Sequence, residues 1–172
     1  NGLAYGVLNE GDGQTAGGGE SSGIVKIVDN YIPFKYIEQP DGFLIEGNKD
    51  DEGIGGNGLA YGDFNCDGYS DIAVSSSSDG AAQDSGSQSA VYIHFGSVNF
   101  NDSKVKTDQY NTQNVVKITG TSYVNEWSYE SNDNLGYSLS AINFNNDSCS
   151  DLVIGTRYDK TQSVNSKAYV LI

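Results

Sequence analysis

The sequence is poor in residues that enzymes and nucleic-acid-binding proteins rely on. It has one His, His94, and two Cys, so a Ser-His-Asp or Cys-His catalytic site is hard to assemble. Nine Lys and Arg stand against 23 Asp and Glu, and the net charge of −14 repels nucleic-acid phosphates and anionic lipids. We therefore expect a protein that is not an enzyme and that binds no nucleic acid.

Met and long apolar runs are also absent. No apolar stretch approaches the roughly 20 residues that cross a bilayer, so we expect no membrane insertion. The lack of Met is expected of a processed chain or a fragment, with no signal peptide left to read. Hydrophobic residues still make up 37% of the chain, which is typical of a globular domain rather than of disorder.

The chain does contain an internal repeat, seen in residues 56–96 and 134–172. Each copy has an acidic nonapeptide, a short apolar run, a turn rich in Gly, Ser or Asp, and a second apolar run. The runs read DIAVS and AVYIHF in the first copy, and DLVIG and AYVLI in the second. Such runs predict β-strands, and no longer stretch has the apolar spacing of a helix. We predict an all-β fold.

The N-terminus fits the second half of the same unit. The sequence GLAYGVL at 2–8 aligns with DLVIGTR at 151–157, and IVKIV at 24–28 aligns with AVYIHF. An alternative alignment sets residues 2–6 against the identical GLAYG at 58–62. Neither alignment places an acidic loop in this part of the chain.

Two connecting segments, 29–55 and 97–133, have alternating apolar residues such as Val115 and Ile118. Each segment is expected to add an outer strand. The predicted organisation is a single repeat array, divided into the second half of a unit at 1–28, a whole unit at 29–96 and another at 97–172.

The first acidic nonapeptide, DFNCDGYSD at 63–71, places oxygen-bearing side chains at alternating positions of a tight turn. Calcium binds six to eight oxygens from carboxylates, amides and backbone carbonyls, and Gly68 permits the bend. An Asx-rich turn that satisfies its own hydrogen bonds is the alternative, but it leaves three carboxylates repelling one another. We therefore predict a calcium site. Its candidate ligands are Asp63, Asn65, Asp67, the main-chain oxygen of Tyr69, and Asp71.

The same pattern returns as NFNNDSCSD at 143–151, with fewer charges. Only two of its candidates are carboxylates, and Ser148 replaces glycine at the bend. We expect weaker calcium binding here, and a turn that keeps its shape without metal is the alternative. The candidate ligands are Asn143, Asn145, Asp147, the main-chain oxygen of Cys149, and Asp151.

Three further predictions concern the Cys residues, the single His and one Asn. Cys66 and Cys149 lie in different acidic segments, so we favour two unpaired thiols, with a disulfide within or between chains as the alternative. His94 lies in the run AVYIHF and is expected to be a strand residue rather than a catalyst. Asn101 begins an NDS triplet and is a glycosylation candidate if the chain passes through a eukaryotic secretory pathway.

These features together resemble the FG-GAP repeat, the blade of the integrin α-subunit β-propeller. In that family a D-x-D/N-x-D-G-x-x-D loop precedes a DLVVGAP-like strand, and a G-x-V-Y-V-x-x-G strand follows after a hairpin. This chain has DFNCDGYSDIAVSS and NFNNDSCSDLVIGT for the first part, and SAVYIHFG and SKAYVLI for the second. The literal FG stands at 95–96, whereas residues 75–77 and 155–157 replace the GAP triplet.

The resemblance implies four-stranded propeller blades that are made rigid by Ca²⁺ in an extracellular or cell-surface protein. Such a protein would act in adhesion or as a structural subunit of a surface or filamentous assembly. Its partner would be a protein or glycan ligand, or other copies of itself. The alternative is a non-catalytic propeller or glycan-binding module of a larger secreted enzyme or lectin.

The number of repeats departs from the family. Propellers typically close with four to eight blades, and this chain offers about two and a half. It is therefore expected to be part of a longer propeller, to close a ring with other copies, or to build an open filament.

Overall fold

The computed structural model describes nine stretches of the chain, and every regular element within them is a β-strand. Thirteen strands lie in these stretches. Within them, no helix is long and apolar enough to span a membrane. The described residues are 3–7, 24–28, 42–47, 52–76, 88–97, 104–106, 114–124, 130–157 and 166–172.

Four strands form a sheet that we call the N-terminal sheet. They are β1 (Leu3–Val7), β2 (Ile24–Val28), β3 (Gly42–Glu46) and β7 (Lys104–Lys106), in that order across the sheet. The pairs β1–β2 and β2–β3 are antiparallel, whereas β7 runs parallel to β3. Segment 29–55 thus adds a strand beside β2, but this strand is not the outer one that was expected, because β7 lies at the edge of the sheet.

Four further strands form the central sheet, in which all neighbours are antiparallel. They are β4 (Leu59–Gly62), β5 (Asp71–Ser76), β6 (Ala90–His94) and β8 (Val115–Thr119), in that order. Strand β8 is the outer strand predicted around Val115 and Ile118. Strand β8 pairs with β6 in a register that sets Lys117 opposite Tyr92. The Lys117 ammonium lies 5.5 Å from the centre of the Tyr92 ring.

The third sheet, the C-terminal sheet, repeats the first three strands of the central sheet. Its strands are β11 (Ser138–Ile142), β12 (Asp151–Gly155) and β13 (Ala168–Leu171), all antiparallel. Strands β12 and β13 are the predicted DLVIG and AYVLI runs. A separate antiparallel pair, β9 (Ser122–Val124) and β10 (Glu130–Asn132), precedes this sheet.

One face of the central sheet packs against the C-terminal sheet. Side chains alternate between the two faces of a strand, so Ala73 on β5 and Ile93 on β6 point to the same side. They form an apolar cluster with Leu152 and Ile154 of β12. Burying such side chains is the main contribution to the stability of a stacked pair of sheets.

The other face of the central sheet packs towards the N-terminal sheet. Val74 and Tyr92 lie opposite each other in the register of β5 and β6. They form a second cluster with Ile45 of β3. The central sheet is therefore buried on both faces, which explains why β5 and β6 read as nearly continuous apolar runs.

Two tight turns, at 53–55 and 134–136, each insert one apolar side chain into these clusters. In the first turn, Gly53 and Gly55 have φ of 60° and 72°. In the second, Asn134 and Gly136 have φ of 49° and 84°. This left-handed backbone conformation favours Gly and Asn. Ile54 joins the cluster towards the N-terminal sheet, and Leu135 joins the one towards the C-terminal sheet. The repeat thus includes a turn that the sequence analysis did not identify.

The all-β prediction is confirmed for the described part of the chain. There the sheets stack face to face and do not close into a barrel. Segment 97–133 contributes β7 and β8 to the N-terminal and central sheets. The turns rich in Gly, Ser or Asp that were predicted between paired strands lie outside the described residues.

Candidate metal centre

The two acidic loops occupy the same position in two neighbouring sheets. Residues 63–70 connect β4 to β5, and residues 143–150 connect β11 to β12. The last acid of each pattern, Asp71 or Asp151, is the first residue of the second strand and is buried. The two acidic segments that repeat in the sequence therefore also occupy equivalent positions in the fold.

In the first loop, side-chain oxygens converge on the amides of the turn. The Asp67 amide donates hydrogen bonds to Asp63 Oδ1 and Asn65 Oδ1, both at 3.1 Å. Asp63 Oδ2 accepts from the Gly68 amide at 2.9 Å, and Asp67 Oδ1 accepts from the Tyr69 amide at 2.8 Å. Gly68 has φ of 87°, so it makes the predicted bend. Three candidate side chains are thus brought together within one small turn.

Asp71 closes the first loop from its buried side. Its Oδ2 accepts from the Phe64 amide at 2.7 Å, and its Oδ1 accepts from the Gly96 amide at 2.8 Å. Burial raises the pKa of the Asp71 carboxyl and the Asp67 carboxylate adds to the rise, while backbone N–H bonds oppose it. A Cβ at Gly96 would collide with the Ser70 carbonyl, which explains why the FG pair has a glycine at this position.

The second loop repeats these hydrogen bonds at equivalent positions. The Asp147 amide donates to Asn145 Oδ1 at 3.0 Å, and the Cys149 amide donates to Asp147 Oδ1 at 2.7 Å. The Phe144 amide donates to Asp151 Oδ2. The two loops therefore share a backbone conformation over most of their length.

The loops differ where the sequence differs. Asn143, at the first position, donates from Nδ2 to the Asp147 carbonyl, a bond that a carboxylate cannot make. Ser148 does not adopt the left-handed conformation of the glycine in the first loop. The fourth position is left-handed in both loops, with φ of 64° at Cys66 and 62° at Asn146. The second loop is the poorer candidate because it has one carboxylate fewer.

Cys66 and Cys149 form a disulfide, so the prediction of two unpaired thiols is wrong. Their Cα atoms are 5.2 Å apart across a sequence separation of 83 residues. The expectation failed because stacking brings equivalent loops of neighbouring sheets side by side. Two residues that are far apart along the chain can therefore lie close together in the stacked sheets. The bridge runs from the fourth position of one loop to the seventh position of the other.

Polar contacts that no local sequence pattern indicates reinforce this bridge. The Ser150 amide donates to the Asp63 carbonyl at 2.8 Å, and the Asp63 amide donates to Ser150 Oγ at 3.3 Å. A Cβ at Gly62 would lie 2.6 Å from the Ser150 side chain, so only glycine allows this close approach. The first candidate ligand of the first loop is thus positioned by the second loop.

The donor set of the first loop suits calcium more than a transition metal. Every side-chain candidate offers a carboxylate or amide oxygen, and hard oxygen ligands are what calcium prefers. In the described stretches, no group of three or more His, Cys, Asp or Glu side chains is arranged to hold a metal ion. The calcium site therefore stays a prediction from the sequence pattern and the oxygen donors.

These residues indicate how a cation would be held. Asp63, Asn65 and Asp67 would bind through side-chain oxygens, Tyr69 through its main-chain oxygen, and Asp71 from the buried side. Calcium would contribute positive charge that cancels repulsion among the carboxylates and joins the end of β4 to the start of β5. In the second loop, the corresponding set is Asn143, Asn145, Asp147, the Cys149 carbonyl and Asp151.

Two other predictions concern residues outside the loops. His94 is 3% exposed on β6, and burial lowers the pKa of its ring to about 4. It is a buried strand residue, as predicted. Asn101 lies outside the described residues, so its glycosylation stays a prediction.

Comparison with known proteins adds no relative to these observations. No family model matches the chain, and no curated protein matches its sequence.

Proposed function

We propose that this chain is a calcium-stabilised array of propeller-type blades of the FG-GAP kind. It would act outside the cell in adhesion or as a structural subunit of a surface or filamentous assembly. The observation that carries the proposal is the pair of equivalent acidic loops, set side by side at neighbouring sheets and joined by a disulfide. Loops of this kind hold strands in place and perform no chemistry themselves.

The blade interpretation is supported by the way the sheets stack. The central sheet has four antiparallel strands, and it is covered on both faces by apolar clusters with its neighbours. Blades of a propeller also contact one another face to face around an axis. The C-terminal sheet repeats the strand order and register of the central sheet, as a following blade would.

An extracellular location is supported by the disulfide and by the proposed ion. Disulfides form and persist in oxidising compartments such as the cell surface and the secretory pathway. Calcium loops with few carboxylates bind in the range of extracellular calcium modules. Both features suit a secreted protein.

Thermal unfolding in millimolar calcium and in excess chelator tests this proposal. We expect 1 mM calcium to raise the midpoint by about 1–6 °C, since ligand at about one to ten times its Kd stabilises by about 0.4–1.4 kcal/mol. Asp67→Asn should lose most of this shift, because it removes one carboxylate without changing the size of the side chain. Asp147→Asn, in the second loop, should lose less.

Tyr69→Phe is the matched control in the same loop. Only the main-chain oxygen of Tyr69 is proposed to bind, so this variant should keep the full calcium shift. An unchanged midpoint on chelation of the wild-type protein would contradict the proposal, as would an Asp67→Asn variant that responds to calcium like the wild type.

A further inference from the structure

Cys66 adopts a backbone conformation that its own side chain does not favour. It is the fourth residue of the first acidic loop, and its φ of 64° lies in the left-handed region. Residues other than Gly, Asn and Asp rarely adopt that region. The equivalent residue of the second loop is Asn146, with φ of 62°, and Asn tolerates it. The first loop therefore needs something besides residue preference to hold this turn.

The conformation of Cys66 directs the amides that organise the first loop. The peptide after Cys66 carries the Asp67 amide, which donates to Asp63 Oδ1 and Asn65 Oδ1. The next amide, that of Gly68, donates to Asp63 Oδ2. If Cys66 left the left-handed region, this peptide would rotate and both groups of hydrogen bonds would be lost. The oxygens of Asp63, Asn65 and Asp67 would then no longer converge.

The second loop holds Cys66 in place from outside the first loop. The disulfide joins Cys66 to Cys149, with the Cα atoms 5.2 Å apart. The residue after Cys149, Ser150, exchanges hydrogen bonds with the backbone of Asp63. The first loop is thus held by the second at its first and fourth positions. Only the link at the fourth position is covalent, and it is the one that a reductant breaks.

The bridge lies where a reductant can reach it. Cys66 is exposed and Cys149 is half-buried, and exposed disulfides are reduced more readily than buried ones. A dithiol would reduce the bridge by thiol–disulfide exchange. The S–S bond of the protein breaks and its sulfurs become two thiols, while the dithiol gives up two electrons and two protons and becomes a disulfide.

We propose that the Cys66–Cys149 bridge positions the first acidic loop, so that its redox state sets the calcium affinity of that loop. This inference rests on the calcium binding proposed above and adds its regulation. The oxidised bridge keeps Cys66 left-handed and the oxygens converged, and reduction releases both. Linkage is reciprocal, so calcium in the first loop stabilises the bridge against reduction by the same factor.

Calorimetric titration of calcium into oxidised wild-type protein and into protein reduced with dithiothreitol tests the inference. Reduction should raise the Kd of the first loop by about fivefold or more, because Cys66 then bears the cost of its left-handed conformation unaided. The Kd of the second loop should change less, because Asn146 tolerates its own turn. Circular dichroism of the same samples shows whether the reduced protein is folded.

Two double variants separate the position of the turn from overall stability. Cys66→Ser with Cys149→Ser and Cys66→Asn with Cys149→Ser both lack the bridge, so they lose the same constraint on the unfolded chain. They differ only in whether residue 66 tolerates the left-handed region. The Ser variant should bind calcium like reduced wild type, whereas the Asn variant should recover most of the affinity of the oxidised protein.

The reduction equilibrium of the bridge gives a second readout. In a buffer of reduced and oxidised dithiothreitol, calcium should increase the fraction of wild-type protein that stays oxidised. Asp67→Asn should lose most of this protection, because it weakens the first loop. Asp147→Asn, in the second loop, is the matched control and should keep most of it.

The outcomes distinguish this inference from the proposed function. Equal calcium affinity in oxidised and reduced protein, or equal weakening in the Ser and Asn variants, would overturn the inference alone. Reduced protein that unfolds would also overturn it, because the bridge would then hold the whole fold rather than one loop. Oxidised protein that binds no calcium would overturn the proposed function itself.

Discussion

The Asp71 carboxylate shows how one residue can serve both the loop and the sheet. It is fully buried, and its two oxygens accept hydrogen bonds from the Phe64 and Gly96 amides. The first bond fixes the start of the loop, and the second ties the end of β6 to the start of β5. Removing a carboxylate of this kind would leave buried donors unsatisfied, so it would affect the fold as well as any bound ion.

A second prediction at the level of a single residue concerns the pH dependence of stability that His94 causes. Its folded-state pKa of about 4 lies below the ordinary value of about 6.5, so protonation favours the unfolded chain. Stability should therefore be lost as the pH falls from about 6.5 towards 4. At pH 5 we expect His94 to lower the free energy of unfolding by about 2 kcal/mol relative to pH 7. Denaturant unfolding at both pH values measures this loss.

The matched variant for this measurement is His94→Gln, which cannot be protonated. Carboxylates titrate in both proteins and cancel in the difference. The variant should lose about 2 kcal/mol less than the wild type between pH 7 and pH 5. Equal losses in the two proteins would show that the ring does not stay neutral in the folded state.

At the scale of elements, the disulfide joins loops that belong to separate sheets. Because Cys66 and Cys149 are 83 residues apart, the bridge closes a long loop of the unfolded chain. Chain-entropy reasoning gives a stabilisation of about 4.5 kcal/mol for a loop of this length. The contacts between Asp63 and Ser150 act between the same two loops.

We therefore expect the double variant Cys66→Ser, Cys149→Ser to lose about 4.5 kcal/mol of unfolding free energy. The measurement is denaturant unfolding in calcium, with reduced wild-type protein as the control for the serine side chains. Reduced wild type and double variant should agree with each other. A loss well below 1 kcal/mol in both would mean that the other contacts hold the loops together without the bridge.

The strands and the loops were largely predictable from the sequence, because both depend on local patterns. The run DIAVS predicted β5, and the alternation around Val115 predicted β8. The glycine of DFNCDGYSD predicted the left-handed bend at Gly68. The turn at 53–55 was missed because a single apolar residue between two glycines gives no periodic signal.

At the scale of the whole molecule, the order of stacking was not predictable from the sequence. The pairing of Cys66 with Cys149, the contact of Asp63 with Ser150 and the close approach at Gly62 all depend on how one sheet lies against the next. Such contacts join residues that are distant in the chain, and no local pattern specifies them. The same contacts set which sheet lies beside which.

The proposed function rests above all on calcium binding by the two acidic loops. Calorimetric titration of calcium into the oxidised wild-type chain tests it directly, with magnesium as the comparison ion. We expect two binding events per chain: the tighter one should be lost in Asp67→Asn and the weaker one in Asp147→Asn, and magnesium should bind poorly because it demands a smaller and more regular site. Absence of binding at millimolar calcium, or binding that Asp67→Asn leaves unchanged, would contradict the account.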